Sequence, residues 1–205
     1  MAIRSTAPLI LASASPRRKE LLRLLGLPFT TVPSETDETQ RSAESPRDHA
    51  LRLAGAKAAS VSAAHPESWV MGADTIVLQD GRILGKPAHQ TEATCMLQAL
   101  SGRSHTVITG YAVARSGRIL ERDAVSSLVW FREIAPDELA WYVATNEPYD
   151  KAGAYAAQGR GACFIRAIQG SYTNVVGLPL CEVVDALKRL GALAFSGEGN
   201  HVHRR

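Results

Sequence analysis

The 205-residue chain has only three cysteines, Cys95, Cys163 and Cys181, an odd number with wide spacing. That excludes a disulfide framework or a zinc site, and buried free thiols in a reducing cytoplasm are expected. No apolar run approaches the length of a membrane span, and the brief one after Arg4 is too short for a signal peptide. An excess of one charge is missing too: 23 Lys and Arg stand against 20 Asp and Glu, a net charge of +3. Aromatic residues make up 6%, and none gathers with basic residues on a strand pattern. Nucleic acid and membrane surfaces are therefore not expected partners, whereas a small anionic ligand is compatible. No internal repeat is evident.

Several catalytic signatures are absent as well. The chain lacks a Gly-x-x-x-x-Gly-Lys-Ser/Thr loop, a Gly-x-Gly-x-x-Gly turn after a strand, and a Gly-x-Ser-x-Gly elbow. Six scattered histidines form no His-x-x-x-His pair, and Ser13 and Ser15 have no nearby base. P-loop, dinucleotide-binding and serine-nucleophile chemistry fall away.

What remains is a globular composition, 45% hydrophobic and 21% charged, with strand and helix signals in alternation. Leu9-Ile10-Leu11 reads as a strand that breaks into Ala12-Ser13-Ala14. A helix follows with Ser15 as N-cap, Pro16 at its first position and Arg17 and Arg18 in its first turn. The unpaired N–H groups there suit either an ordinary cap with solvated arginines or a polyanion site. Phe29–Val32 reads as a short strand leading into the acidic loop Glu35–Thr39. Ser45-Pro46 opens a second helix, whose Ala50, Ala54, Ala58 and Val61 put Lys57 on or beside the core face; a lysine there snorkels or finds an anion.

Trp69–Leu78 reads as a buried strand ending in the turn Asp80-Gly81, with return through Ile83 to Pro87. Asp74 lies inside that apolar run, where a carboxylate needs hydrogen bonds, a cation or a metal; it either organises a turn or serves chemistry. A helix is expected over Thr91–Leu100, strands over Thr106–Ala114 and Ile119–Phe131, and a helix from Pro136 to Val143. The segment from Glu147 to Gly159 has no period and is expected to be an ordered loop lining something. Cys163–Ile168 reads as a short strand and Leu180–Leu190 as a final helix. Residues 196–205 read as a polar tail, whose His201 and His203 are not taken for a metal site. The pattern predicts an α/β, or mixed α+β, domain over residues 1–195. Helix-terminal arginines, isolated lysines and carboxylates together favour metal-assisted hydrolysis of a phosphoanhydride.

These residues also fall in blocks. Leu-Ala-Ser-Ala-Ser-Pro-Arg-Arg at 11–18, Asp-Glu at 37–38, Gly-Ala-Asp-Thr-Ile-Val at 72–77 and Gly-Lys-Pro at 85–87 come first. Asp-Lys-Ala-Gly-Ala-Tyr at 150–155, Gln-Gly at 158–159 and Val-Gly-Leu-Pro-Leu at 176–180 follow. In this order they resemble the Maf family of nucleoside triphosphate pyrophosphatases, also called septum formation inhibitor proteins, over about residues 8 to 195. The resemblance implies a bilobed fold similar to inosine triphosphate pyrophosphatases, with a central mixed sheet, flanking helices and a nucleotide cleft. It implies hydrolysis of a nucleoside triphosphate to the monophosphate and pyrophosphate with a divalent cation, Mg or Mn, and suggests a homodimer. By position, Asp74 would be the catalytic carboxylate, with Glu38 and Asp74 at the metal and Ser13, Arg18, Lys57 and Lys86 on phosphates. Arg17, Thr75 and Gln158 match members that resemble dTTP/UTP pyrophosphatases. Members similar to 7-methyl-GTP pyrophosphatases tend to carry Trp, Gln and Glu there. A neutral pyrimidine suits an amide that donates and accepts, while a cationic methylated guanine suits an aromatic face and a carboxylate. A nucleotide-responsive regulator of division that binds without turnover is the alternative of another class.

Overall fold

The fold is described for residues 2–196 of a computed structural model. In chain order the elements are β1 (Ala2–Ser5), β2 (Leu9–Leu11), α1 (Pro16–Arg23), β3 (Thr30–Thr31), α2 (Pro46–Ala64), β4 (Trp69–Gln79) and β5 (Arg82–Leu84). Then come α3 (Gln90–Leu100), β6 (Ser104–Arg115), β7 (Arg118–Phe131) and α4 (Pro136–Val143). Three short 3-10 turns between Pro148 and Phe164 lead to β8 (Ile165–Gln169), α5 (Tyr172–Val176), α6 (Leu180–Arg189) and β9 (Leu193–Ser196). The main sheet is mixed, in the order β3-β2-β4-β6-β7-β8, with β5 also paired to β4. Strands β3, β2 and β4 run parallel and the other pairs antiparallel. The expected mixed α/β architecture with flanking helices is present.

Local chemistry explains the ends of the elements. Ser15 and Ser45 accept the Arg18 and Asp48 amides at the starts of α1 and α2, each followed by proline. Asp80 and Gly81, both with positive φ, make the two-residue turn between Gln79 and Arg82.

Strand β4 obeys a two-residue alternation. Met71, Ala73 and Val77 enter the main core, while Ile76 packs with Ala50 and Ile108 on the side covered by α2. On that side α2 lies almost on the backbone of the sheet. A Cβ on Gly72 would meet the Ala54 carbonyl oxygen at 2.3 Å, and one on Gly110 the Ala50 oxygen at 2.5 Å. Ala54, Ala58, Ala112 and Ala114 complete this seam of small residues. The main cluster spreads from Leu9 to Leu193 on the opposite face.

Three expectations are corrected. Cys95, Cys163 and Cys181 are all exposed; α3 turns Ala93, Leu97 and Leu100 inward and α6 turns Val183, Ala186 and Leu187 inward, which leaves Cys95 and Cys181 on the outer faces. The strand expected from Cys163 begins at Ile165, because Cys163 and Phe164 close a 3-10 turn whose Phe164 carbonyl accepts the Arg132 amide. Elements β1, β9 and α5 were not expected: β1 and β9 form a separate antiparallel pair. Ser196 ends β9, and the remainder of the expected tail, with His201 and His203, lies outside the described residues. Among the described residues no helix is long and apolar enough to cross a membrane.

Candidate active site

The site lies where the sheet is interrupted. One edge of β4 is fully paired to β6, from Val70 to Leu78. Its other edge is paired to β2 at residues 69–71 and to β5 at residues 77–79, so Gly72–Ile76 have no strand partner there. A cleft of about 640 Å³ occupies the gap. The turn from β2 into α1, the acidic loop, α2, β5, Gly85-Lys86, residues 150–155 and Gly177 complete its walls. Because the gap passes through the sheet, neighbours on β4 serve opposite faces: Asp74 points to α2 and Thr75 to the α1 side.

On the α1 side Arg18 is the organising group. Its Nε donates to the Gly177 carbonyl at 2.8 Å, Nη2 to Thr75 Oγ1 at 3.0 Å and Nη1 to Ser13 Oγ at 3.3 Å. All three acceptors are neutral, and among the described residues no carboxylate pairs with it. Burial lowers the Arg18 pKa from its ordinary value, opposed by the charge of Asp74. Five donors with three used leave two N–H bonds for a ligand. The support behind it is directional. Thr109 Oγ1 donates to the Asn174 carbonyl at 2.9 Å, so its bond with Thr75 at 3.0 Å is donated by Thr75. Asn174 is locked in turn by the Thr109 amide, the Val107 carbonyl and Ser127 Oγ. The carbonyl of Gly177 is presented by a left-handed residue, φ 126°, at the end of α5.

On the α2 side three charges meet. Lys57 Nζ donates to Asp74 Oδ1 at 2.7 Å and to Glu38 Oε1 at 2.5 Å. Lys57 and Asp74 are both under 10% exposed, whereas the Glu38 side chain is half exposed. Burial raises the Glu38 pKa, but the Lys57 hydrogen bond and the charges of Lys57, Lys86 and Arg18 outweigh it and bring the carboxyl below its usual range. The loop carrying Glu38 is pinned to α2 by Glu44, which accepts from Arg52 at 2.6 and 2.9 Å, bonds His49 Nδ1 at 3.0 Å and accepts the Arg41 amide. Arg52 also donates to the Thr39 carbonyl.

Of the expected site residues, Ser13, Arg17, Arg18, Glu38, Lys57, Asp74, Thr75 and Lys86 all line this one cleft. The Arg17 side chain makes no protein hydrogen bond among the described residues; burial lowers its pKa against the charges of Asp150 and Glu147. Lys57 holds the two carboxylates rather than standing free for a phosphate. Gln158 is not brought to the cleft: it is exposed, and Tyr155 is the last residue of its segment to line the walls. The residues that follow it are tied to Glu147, which accepts the Arg160 and Gly161 amides and the Tyr142 hydroxyl. Residues not singled out in sequence also serve the site. Lys151, paired with Asp150, lines the cleft. Thr109 and Asn174 support it from beneath, and nothing in a single sequence separates them from other buried polar groups.

The donor set bears on a metal. No group of three Asp, Glu, His or Cys side chains converges among the described residues, so these residues build no all-protein cage. Glu38 and Asp74 do converge on one cation, the Lys57 ammonium. Two carboxylates completed by phosphate oxygens and water suit the Mg class, which is rarely held by protein alone.

The family model described as Maf-like protein matches residues 8–190. The chain belongs to the Maf-like family. Among relatives of this Maf-like protein, the dTTP/UTP pyrophosphatase of Syntrophus aciditrophicus is 55% identical over 94% of this chain and 95% of its own. That of Syntrophotalea carbinolica is 54% identical over 90% and 86%. A solved nucleoside-triphosphatase / dITP/XTP pyrophosphatase from Mycobacterium abscessus is 17% identical over 90% of this chain and 94% of its own, with TM-score 0.41, too loose a superposition for comparing sites.

Proposed function

We propose that this Maf-like protein hydrolyses dTTP and UTP, modified pyrimidine triphosphates included, to the nucleoside monophosphate and pyrophosphate. The observation that carries the reading is Arg18, a half-buried guanidinium bonded only to neutral oxygens, beside Arg17, Lys86 and Lys151 in the same cleft. Five cations, Arg17, Arg18, Lys57, Lys86 and Lys151, face the carboxylates Glu38, Asp74 and Asp150 there, and a polyphosphate supplies the missing negative charge. The pyrimidine preference is supported by relatives bearing the name dTTP/UTP pyrophosphatase and by Arg17 and Thr75 in the cleft.

In this mechanism Arg18, Ser13 and Lys86 seat the phosphates. Ser13 Oγ already accepts from Arg18 and from the Ser15 amide, so its proton is free for a phosphate oxygen. Glu38 and Asp74 would hold the divalent cation, which supplies charge neutralisation along the phosphate chain when bound. In the free protein Asp74 Oδ1 accepts from Lys57, and no protein group bonds Oδ2 among the described residues. Oδ2 orients the attacking water and offers an acceptor for its proton. The new bond forms between water oxygen and the α-phosphorus, and the bond to the bridging oxygen breaks to release pyrophosphate. The same reading places the enzyme in the cytoplasm, acting on free nucleotides and not on nucleic acid or membrane, with a homodimer as its assembly.

Pyrophosphate release from a triphosphate panel, with Mg²⁺ or Mn²⁺, tests this. Turnover of dTTP and UTP is expected, falling at least about 10²-fold in Asp74→Asn, the lower end for loss of an acid–base group. Preference for 7-methyl-GTP overturns the base assignment and keeps the reaction. Metal-dependent nucleotide binding without pyrophosphate release indicates the regulator instead.

A further inference from the structure

We propose that Lys57 is a resident cation that keeps the Glu38–Asp74 pair closed to divalent ions until a polyphosphate arrives to draw its ammonium away. This rests on the reading of the cleft as a triphosphate site. The two carboxylates a metal would need are both bonded to one Nζ, at 2.5 and 2.7 Å. The helix that carries the lysine is fixed against the sheet, with neighbours Ala54 and Ala58 fully buried and lying on Gly72, so only rotation of the side chain moves Nζ. A divalent ion reaching the same oxygens in the free protein would sit against a buried ammonium, with Arg18 and Lys86 close enough to act on Glu38. Like charges in a poorly solvated site repel strongly.

A triphosphate changes that balance. Two of the three ammonium protons are used, and the third has no protein acceptor among the described residues. Its long stem lets Nζ turn toward a phosphate oxygen while the backbone stays still. The carboxylates are then released to the metal that arrives with the nucleotide. Metal and nucleotide affinities become linked, each strengthening the other by the same factor.

Mn²⁺ binding measured by the free-ion EPR signal tests the idea, with and without the non-hydrolysable analogue α,β-imido-dUTP. Wild type and Lys57→Arg are expected to bind Mn²⁺ at least tenfold more weakly without the analogue than with it. Lys57→Met should bind at least tenfold more tightly than wild type without analogue, and Glu38→Gln added to it should remove the gain. Lys188→Met removes the same charge from the exposed face of α6, outside the cleft, and should stay within threefold of wild type. If Lys57→Met does not fold, Lys57→Gln provides the same comparison. Equal Mn²⁺ affinity of wild type and Lys57→Met, with the analogue still tightening wild type, overturns the resident-cation proposal and leaves the triphosphate reading standing. No Mn²⁺ binding even with the analogue overturns both.

Discussion

Replacing Gly72 with alanine tests whether the close approach of α2 to the sheet is what holds the charges together. The added Cβ would lie 2.3 Å from the Ala54 carbonyl oxygen and 2.7 Å from the Ala58 amide nitrogen, both backbone atoms. Ordinary contact begins near 3.4 Å, so the helix must retreat by about 1 Å. Overpacking of this kind costs about 1–3 kcal/mol, and rigid backbone puts Gly72 at the upper end. For a chain of this size that is a fall of about 5 °C or more in Tm. Lys57 lies between Ala54 and Ala58 in sequence and moves with them, pulling Nζ away from Asp74. A misplacement of about 1 Å in a catalytic array costs on the order of 10²-fold in rate. Gly55→Ala is the internal control on the same helix. Its Cβ meets only the Ile119 Cδ1 tip at 2.9 Å, a flexible and partly exposed group. It should be neutral or gain up to about 1 kcal/mol from better helix propensity. Thermal unfolding and kcat/KM for UTP are the readouts. A Gly72→Ala protein with wild-type Tm and kcat/KM within twofold would refute the reasoning.

Two further predictions concern pH. Hydrogen bonding from Arg52, against some burial and with help from His49, holds the Glu44 carboxyl down to about 2. Its contribution to stability is present above the unfolded value near 4.5 and is lost as pH falls toward 2. The Tm difference between wild type and Glu44→Gln should therefore be largest above pH 4.5 and shrink below it; a constant difference contradicts the assignment. Burial pushes His105 down to about 4. The unfolded chain takes that proton first, near 6.5, so stability falls as pH drops from 6.5 to 4, by about 3 kcal/mol in total. His105→Phe, placed edge-on to Phe131 and Tyr155, should flatten that part of a urea-unfolding profile, and an unchanged slope would show that another group titrates.

Much of this architecture is legible in the chain because its elements carry complete periods. The alanines of α2 repeat on one helical face, and β4 is a long apolar strand with an Asp-Gly turn, so both are recognisable alone. Arg18 and Asp74 stand out as charges in places that demand an explanation. What they bond to does not. The pairing of Lys57 with residues 19 behind and 17 ahead depends on how α2 settles on the sheet. Helix α5 has five residues, too few for a period, and is marked only by Ser171 and Gly177 at its ends. Gln158 follows a motif match in a segment without periodicity, and the Glu147 bonds that hold the residues after it are tertiary events. The cysteines fail by composition: small apolar thiols are usually inside, but here larger apolar residues hold the inward faces of α3 and α6.

Asp74 and Thr75 are consecutive residues that look out through opposite sides of one opening. Were β4 to slide by a single position against β6, every side chain would change faces, and the carboxylate would leave Lys57 for the α1 side of the sheet. Nine paired positions along β6 forbid that slip. Evolution can therefore retune the walls of this enzyme, but it cannot move one half of the machinery without unpicking the middle of the sheet.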